Sequence, residues 1–383
     1  MKLDADWVTA PHSRVVMQAL EGQGYFVGGC VRNALLGAPV SDIDVATPLE
    51  PGTVLARLQD AGIKAIPTGL QHGTITAVHE GVPVEITTFR RDVETDGRHA
   101  TVAFTEDIAQ DAGRRDFTMN ALYADQDGQL VDPLGGLPDL RAGHVRFIGE
   151  ARDRIREDYL RILRFFRFHA WYGADGIDPE GLAACAELVE GIEQLARERI
   201  GWEMRKLLGA PDPGPSLASM ATAGVLMRSL PGAEASTLPI LVHLEQNRTL
   251  EPDWTRRLAA LGGVDVAEVL RLSRAEARDL AAILGAIEAG EQDRVASYRH
   301  GLEIARSAAL VRAASLGVDP PASLDTDLEA GASAQFPVKP KDLMTRGVAA
   351  GPAMGKLLKQ LEDQWIASGF ELGKATLLEG IDI

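Results

Sequence analysis

The sequence predicts an α+β protein with an α/β head over residues 1–140, followed by an all-helical remainder. Short β-branched runs that alternate in polarity fill the first part, and leucine, alanine, arginine and glutamate in helical spacing take over after Asp153. A Pro/Gly-rich joint, Gly209–Ser216, divides the helices into a neck, 141–210, and a body and tail, 211–383.

Composition narrows the class of protein. The formal net charge of −16 over 383 residues argues against wholesale coating of a polyanion, although a local basic groove remains compatible with it. The two cysteines, Cys30 and Cys185, form no CxxC pair and the eight histidines are scattered, so no zinc site is expected. There is no N-terminal apolar stretch and no run of 18 apolar residues, so we expect a cytoplasmic protein without a membrane span.

The head reads as short strands and turns. "YFVGG" is a strand ending in glycine, "VRNALLG" is a short helix stopped by Gly37, and "DIDVAT" is a strand with one charged face. "GTITAVHEGVPVEITTFR" predicts a hairpin with its turn at Glu80-Gly81. Arg90–Gly113 has few large apolar residues and is predicted to be a mobile loop. In the tail, 319–340 is predicted to be irregular.

The two aspartates of "DIDVAT" are the first candidate site. Residues i and i+2 of a strand share a face, so Asp42 and Asp44 should stand side by side. Two adjacent carboxylates repel unless a cation lies between them, and hard oxygen ligands suit Mg²⁺. Glu85, on the second strand of the hairpin, is either a third carboxylate of this site or an exposed strand residue. The alternative for the aspartates is a solvated edge strand.

The glycines before the helix "VRNALLG" favour a metal site at the two aspartates. Gly28 and Gly29 end a strand and lead into a helix, where backbone N–H groups without a neighbouring Cβ can cradle an anion. Arg32 in the first turn can add a charged fork to a phosphate. Phosphates beside a metal pair describe a nucleoside triphosphate site.

Five blocks then resemble a known family. "GGCVRN…SDIDVAT", "RRDFTMNALYA", "DPLGGLPDL", "REDYLRILRFFRF" and "ERIGWE", in this order over about residues 25–205, are similar to motifs of the class II tRNA nucleotidyltransferases and the related bacterial poly(A) polymerases. The resemblance implies a polymerase-β-like head and Mg²⁺-dependent transfer of CMP and AMP, from CTP and ATP, to the tRNA 3′ end. One departure is Asn33, where the family usually has Asp, which puts a charged role at that position in doubt.

The fourth block predicts one continuous helix with a polar row that winds around it. Asp158, Arg161, Arg164 and Arg167 follow one another at intervals of three, opposite an apolar face. A solvated face with ion pairs is the alternative. The resemblance implies base recognition, and the chemistry agrees. An Asp acceptor beside an Arg donor matches the amine and ring nitrogen of cytosine or adenine and rejects uracil and guanine. Arg164 and Arg167 are then placed to reach the base or the phosphates.

The resemblance extends to further residues. Arg115 is expected to contact the triphosphate, and Asp116 to organise the arginines or the sugar, or to form a surface ion pair. The full-length segment Arg90–Gly113 implies addition of adenine. Arg199 and Glu203 are expected to pair with each other as scaffolding. Five basic tail residues suit RNA phosphates: Lys339, Lys341, Arg346, Lys356 and Lys359.

We therefore predict CCA addition to tRNA. A poly(A) polymerase on the same scaffold is the nearest alternative, and the motifs do not separate the two. A non-catalytic RNA-binding protein is disfavoured by the intact Asp42 and Asp44, and an enzyme acting on a small molecule is disfavoured by the basic clusters of the helical remainder.

Overall fold

A computed structural model of the chain describes residues 1–96, 99–174 and 176–379, with the side chains of 92–96 and 99–102 excepted. Every strand assigned in these ranges lies before residue 132, and helices make up the rest of the regular structure. The predicted α+β class is therefore confirmed. Within the same ranges no helix combines the length and the apolar character needed to cross a bilayer.

The described residues form two compact units. The first comprises Met1–Ser236 and Gly262–Arg271, and the second comprises Thr237–Leu261 and the described residues from Leu272 onward. The division into head, neck and body at residues 140 and 210 stays a prediction about function.

Nine strands build the sheet structure of the first unit. They are β1 (Tyr25–Val27), β2 (Asp44–Thr47), β3 (Lys64–Gly69), β4 (Thr74–His79), β5 (Val82–Thr88), β6 (Arg90–Asp96), β7 (His99–Phe104), β8 (Tyr123–Ala124) and β9 (Leu130–Val131). Seven form one mixed sheet in the order β3-β4-β5-β2-β1-β8-β9, and β6 pairs with β7 alone. β2 and β5 run parallel, while the other neighbours in the sheet are antiparallel.

The predicted hairpin β4–β5 is confirmed. Its two-residue turn places Glu80 and Gly81 at φ values of 52° and 82°, the positive pair that a type I′ turn requires. Along β5 the side chains of Val84 and Ile86 are buried, whereas Glu85 between them is exposed. The alternation therefore turns Glu85 away from the core and onto the face that carries the candidate site.

The predicted loop over Arg90–Gly113 is wrong as local structure. Its first part forms the β6–β7 ladder, and a short helix, Ile108–Gly113, follows in the chain. Ladder hydrogen bonds between backbones need no large apolar side chains, so a composition poor in such residues did not exclude a hairpin. The tip at 97–98 lies outside the described residues.

The helices of the first unit surround the sheet segment and continue beyond it. They are α1 (Asp6–Thr9), α2 (Pro11–Ala19), α3 (Gly29–Leu35), α4 (Pro51–Asp60), α5 (Ile108–Gly113), α6 (Leu137–Ala142), α7 (Ala151–Glu157), α8 (Leu160–Tyr172), α9 (Pro179–Glu187), α10 (Arg197–Leu208), α11 (Gly214–Thr222) and α12 (Val225–Ser229), with α15 (Val266–Val269) in its second segment. The second unit contains α13 (Leu238–Asn247), α14 (Trp254–Leu261), α16 (Arg274–Glu288), α17 (Asp293–His300), α18 (Leu302–Leu316), α19 (Leu324–Ser333), α20 (Pro340–Thr345), α21 (Pro352–Ala367) and α22 (Lys374–Glu379).

The predicted continuous helix through Asp158 is also wrong, because α7 and α8 are separate helices. Asp158 has extended backbone angles, φ −155° and ψ 106°. Its Oδ1 accepts a hydrogen bond of 3.1 Å from the Leu160 N–H and so caps the start of α8. The irregular segment predicted over 319–340 likewise contains a helix, α19, whose buried Leu324 and Leu328 lie one turn apart.

Aromatic packing fixes the rotation of α8. Phe165 and Phe168 are buried, with ring centroids 5.3 Å from Phe147 and 5.0 Å from Phe117, respectively. Phe166 is also buried and packs edge-on to Phe165. At the edge of this buried face, the guanidinium groups of Arg164 and Arg167 lie 5.3 Å and 4.5 Å from the centroid of the Phe168 ring.

Candidate active site

A cavity of about 420 Å³ in the first unit collects most of the candidate residues. We call it the arginine cavity. The charged residues of its lining are Arg32, Arg114, Arg115, Arg161, Arg164 and Arg199, with Asp44, Asp116 and Asp158. Six guanidinium groups against three carboxylates give a positive site in a chain whose formal net charge is −16. Such a lining suits a polyanion such as a triphosphate.

Backbone forms another part of the lining. Gly28, at the end of β1, has φ 71°, and Gly29 begins α3. A Cβ on Gly28 would lie 3.4 Å from Nη1 of Arg115. Glycine is thus required by the positive φ of this turn, and the turn lies in contact with Arg115.

The three candidate carboxylates lie on two neighbouring strands, β2 and β5, and just before β2. Asp44 is the first residue of β2 and is the register partner of Glu85 on β5, while Asp42 precedes the strand. The expectation that Asp42 lies within the strand is therefore wrong. Asp42 and Glu85 are exposed and Asp44 is half-buried. Burial raises the pKa of Asp44 to about 6, Glu85 and Asp42 add to the rise, and Arg115 opposes it.

The electrostatics of these carboxylates suit a cation. The charges of Glu85 and Asp42 make ionisation of Asp44 less favourable, and a divalent ion would reverse that effect. Among the described residues, no three His, Cys, Asp or Glu side chains converge into a complete metal cluster. Two carboxylates are an ordinary protein contribution to Mg²⁺, since substrate phosphates and water fill its remaining positions.

Arg32 is held by protein partners at the cavity wall. Its guanidinium donates to Oδ1 of Asn120 at 2.6 Å, to Oδ1 of Asn33 at 2.9 Å and to the Tyr172 hydroxyl at 2.8 Å. It also lies 4.2 Å from the centroid of the Tyr172 ring. Asn33 thus serves as a neutral acceptor, and its amide donates to the carbonyl of Pro39. The structure shows a hydrogen-bonding role for Asn33 that requires no charge.

Arg115 is oriented by a buried acid. It donates to Asp111 at 3.1 Å and to the Tyr123 hydroxyl at 3.1 Å, and that hydroxyl donates to Asp111 at 2.7 Å. Burial alone would raise the pKa of Asp111, but Arg115 and Arg114 hold it below its usual value. Asp111 was not singled out in the sequence, because it lies in Arg90–Gly113, the segment predicted to be a loop.

Asp158 and Arg161 both line the arginine cavity, but each has its own protein partner. Oδ2 of Asp158 accepts from Arg199 of α10 at 2.7 Å. Arg161 pairs with Glu157 and donates to the carbonyl of Arg154 at 2.8 Å. A carboxylate has about four acceptor positions and a guanidinium five donors, so both groups keep capacity for a base edge.

The two remaining arginines of the row point to different acids. Arg164 lines the cavity and donates to Asp116 from Nε at 2.8 Å. Burial would raise the pKa of Asp116, but Arg164 and the hydrogen bonds from Asn120 and Phe117 hold it well below its usual range. Asp116 therefore organises an arginine, one of the expected alternatives.

The expected pairing of Arg199 with Glu203 within α10 is wrong. Arg167 donates to Glu203 at 2.6 Å, and Arg199 pairs with Asp158, so both members of the expected Arg199–Glu203 pair bind α8 or its cap. The lining includes nine of the residues expected at the site: Gly28, Gly29, Arg32, Asp44, Arg115, Asp116, Asp158, Arg161 and Arg164. Asp42, Glu85 and Arg167 lie outside that lining. Arg199 was missed as a site residue, although its place in "ERIGWE" was a signal. All five basic tail residues are exposed, and their contact with RNA stays a prediction.

Two family models match successive segments of the first unit. The model described as "Poly A polymerase head domain" matches residues 24–146, and "Probable RNA and SrmB-binding site of polymerase A" matches 176–236. A solved structure of the Bacillus stearothermophilus CCA-adding enzyme in complex with CTP shares 28% identity and a TM-score of 0.71, over 94% of this chain and 93% of that chain. The Thermotoga maritima CCA-adding enzyme complexed with tRNA, at 18% identity and a TM-score of 0.70, shares the fold over 99% and 97% of the two chains.

Curated relatives agree over most of their length. The mitochondrial CCA tRNA nucleotidyltransferase 1 of Mus musculus is 35% identical, over 92% of this chain and 85% of the relative. The CCA-adding enzyme of Geobacillus stearothermophilus is also 35% identical, over 80% of this chain and 78% of the relative. This chain therefore belongs to the family of CCA-adding tRNA nucleotidyltransferases.

Proposed function

We propose that this protein adds CMP and AMP to the 3′ end of tRNA, using CTP and ATP and no nucleic-acid template. The observation that carries the proposal is the arginine cavity, whose lining joins Asp44 to the Asp158 and Arg161 pair. A triphosphate needs cations, phosphoryl transfer needs carboxylates, and base selection needs a fixed donor and acceptor. One cavity holds all three.

The transfer step is an in-line displacement. The 3′-oxygen of tRNA forms a bond to the α-phosphorus, the bond to the bridging oxygen breaks, pyrophosphate leaves, and the hydroxyl proton passes to solvent. Asp42 and Asp44 would hold Mg²⁺, with Glu85 beside them, and the bound ion would stabilise charge on the phosphate oxygens. Arg115, held by Asp111, would contact the triphosphate.

Base selection is assigned to Asp158 and Arg161. The carboxylate accepts from the exocyclic amine of cytosine or adenine, and the guanidinium donates to the adjoining ring nitrogen. Uracil and guanine place a carbonyl where Asp158 needs a donor, which leaves an acceptor unmatched. Arg199 orients Asp158 and Glu157 orients Arg161, so the pair is rigid before a nucleotide arrives. Arg164 is placed to reach the phosphates, and Arg167 joins α8 to α10.

The family models carry poly(A) polymerase descriptions, whereas the relatives that match most of the chain carry CCA-adding names. The latter extend over more of the chain and therefore favour CCA addition. A cytoplasmic location is part of this proposal.

The test supplies tRNA transcripts ending before CCA, after C and after CC, with each labelled nucleoside triphosphate in turn and with Mg²⁺ or a chelator. We expect C, C and A to be added in order, and sequencing of the 3′ ends reads the product. Long adenosine tracts without C would establish a poly(A) polymerase. Asp42→Asn and Asp44→Asn should abolish addition with an unchanged circular dichroism spectrum, whereas Asp60→Asn, on the exposed end of α4, should not. Near-normal activity of either of the first two variants would contradict the metal-ligand assignment.

A further inference from the structure

A second opening adjoins the arginine cavity. It is a cleft of about 640 Å³ with a mainly apolar wall, lined by Leu160, Ala196, Glu198, Arg199, Trp202 and Glu203. We call it the tryptophan cleft. Leu160 and Arg199 line both the cleft and the arginine cavity, so the two openings are adjacent. No role assigned to the site so far uses the cleft.

The aromatic surface of this cleft is unusually open. Trp202, which lines the cleft, is 52% exposed, and Trp171, which lies outside its lining, is 44% exposed, whereas large aromatic residues are ordinarily well buried. Nε1 of Trp171 donates to the carbonyl of Lys206 at 2.8 Å, which ties α8 to α10 at this point. The partly exposed ring of Trp202 has a cation close to it, because Nζ of Lys206 lies 4.7 Å from its centroid.

We propose that Trp202 stacks on the 3′-terminal base of the RNA that receives the nucleotide, and that Lys206 contacts a phosphate of the same strand. The proposal rests on the proposed function and names the place where its second substrate, the RNA end, is held. An aromatic ring accepts any base by stacking, so one residue can serve a growing end whose last base changes from step to step.

Charge favours a nucleic acid over an apolar protein segment as the occupant. Lys206 is exposed, and Arg205 also lies 6.0 Å from the Trp202 ring centroid, so cations border the ring. The two acids of the cleft are paired with other arginines, Glu203 with Arg167 and Glu198 with Arg271. Burial, Arg167 and Arg164 lower the pKa of Lys206, while Glu203 and Asp42 act in the opposite direction. Leu160 and Arg199 line both the cleft and the arginine cavity, and the lining of that cavity includes Asp44. An RNA end on Trp202 would therefore lie next to the site of transfer.

The test measures binding of an RNA minihelix ending in CC, and of the same RNA whose last nucleotide lacks its base. Trp202→Ala should weaken binding of the first RNA roughly tenfold or more, the usual effect of losing one stacked base. It should leave binding of the abasic RNA unchanged, since the partner of the ring is already absent there. Trp202→Phe should retain affinity but lose the tryptophan fluorescence quenching that the normal RNA causes in the wild type.

Met227→Ala is the matched control, because Met227 is 57% exposed on α12 and lines neither cavity. It should bind both RNAs like the wild type. Equal affinity of Trp202→Ala and wild type for the normal RNA would overturn the proposal, as would an equal loss for both RNAs, which would indicate a structural or protein-binding role. Incorporation of labelled AMP by the wild type is scored separately. If AMP is added but Trp202→Ala does not selectively weaken binding of the normal RNA, this inference fails and the proposed function stands.

Lys206 has an independent readout in salt dependence. Binding to single strands weakens with salt, with a slope of about −0.7 per neutralised phosphate. Lys206→Gln should therefore make the logarithmic salt slope less steep by about 0.7 while quenching of Trp202 persists. An unchanged slope would remove Lys206 from the contact.

Discussion

Asp158→Asn is expected to weaken the rejection of UTP and GTP while the fold persists. The amide keeps an oxygen that can accept from the Leu160 N–H and so cap α8, but it replaces the second acceptor with a donor. A donor at that position matches the carbonyl of uracil or guanine. The substitution thus changes hydrogen-bond polarity with little change in shape.

The magnitude follows from the burial of the side chain. An unmatched buried acceptor costs roughly 1–3 kcal/mol. The Asp158 side chain is 24% exposed, so the lower part of that range applies, which is about a tenfold effect on a rate ratio. We expect the CTP/UTP and ATP/GTP ratios of kcat/KM to fall about tenfold each. Loss of the partly exposed pair with Arg199 should lower the free energy of unfolding by about 0.2–1 kcal/mol.

The assay is single-nucleotide addition, with CTP or UTP on tRNA lacking CCA and with ATP or GTP on tRNA ending in CC. Asp153→Asn is the charge-matched control, because Asp153 is exposed on α7 and pairs only locally with Arg156. Its ratios should equal those of the wild type. Unchanged ratios for Asp158→Asn would refute base reading by this carboxylate, and equal changes in both variants would assign the effect to net charge.

Three further predictions concern stability. Asp116→Asn should lower the free energy of unfolding by roughly 1.5–3 kcal/mol at pH 7, measured by urea denaturation. Because folding lowers the pKa of Asp116, the loss of stability in the variant should be constant above about pH 5. It should shrink as the pH falls below about 4, the pKa of an unfolded Asp. A loss that grows with acid would contradict the assigned pairing. Gly201→Ala would bring a Cβ to 2.0 Å from the carbonyl oxygen of Leu270 and should lower the free energy of unfolding by about 1–3 kcal/mol. Gly285 in α16 has open space around it, so Gly285→Ala should raise the free energy of unfolding by up to about 1 kcal/mol. Equal thermal shifts for the two variants would disprove the close contact. Glu245→Gln breaks a buried pairing with two arginines and should cost about 3–5 kcal/mol; a cost below about 1 kcal/mol would mean that the pairing is solvated.

Local pattern was sufficient where neighbours in sequence determine the geometry. The hairpin β4–β5 was predicted from its two β-branched runs, and the turn at Glu80-Gly81 was readable from residue type. The cradle at Gly28 was equally local, because its positive φ is a property that glycine tolerates best.

Prediction failed where distant partners determine the conformation. Helical periodicity continues on both sides of Asp158, and the break depends on a carboxylate that caps α8 and binds Arg199, 41 residues later. Sequence spacing suggested that Arg199 and Glu203 pair with each other, one turn apart on a helix. The packing of α10 against α8 offered both residues stronger partners, and no spacing rule reports such a contact.

The ion pairs of α8 explain how an acidic protein can hold a positive and selective site. Arg164 and Arg167 face acids from two different segments, Asp116 and Glu203, and Asp158 faces an arginine from α10. Each polar group is therefore fixed by a partner on another element before substrate binds, and reorientation to suit a wrong base would break an ion pair. Under the proposed function, discrimination comes from this fixed arrangement, and flexibility is not required of it. The same arrangement treats cytosine and adenine alike, because both present an amine beside a ring acceptor. The order of C and A must then be determined by where the RNA end lies, and the tryptophan cleft is the candidate place for that end.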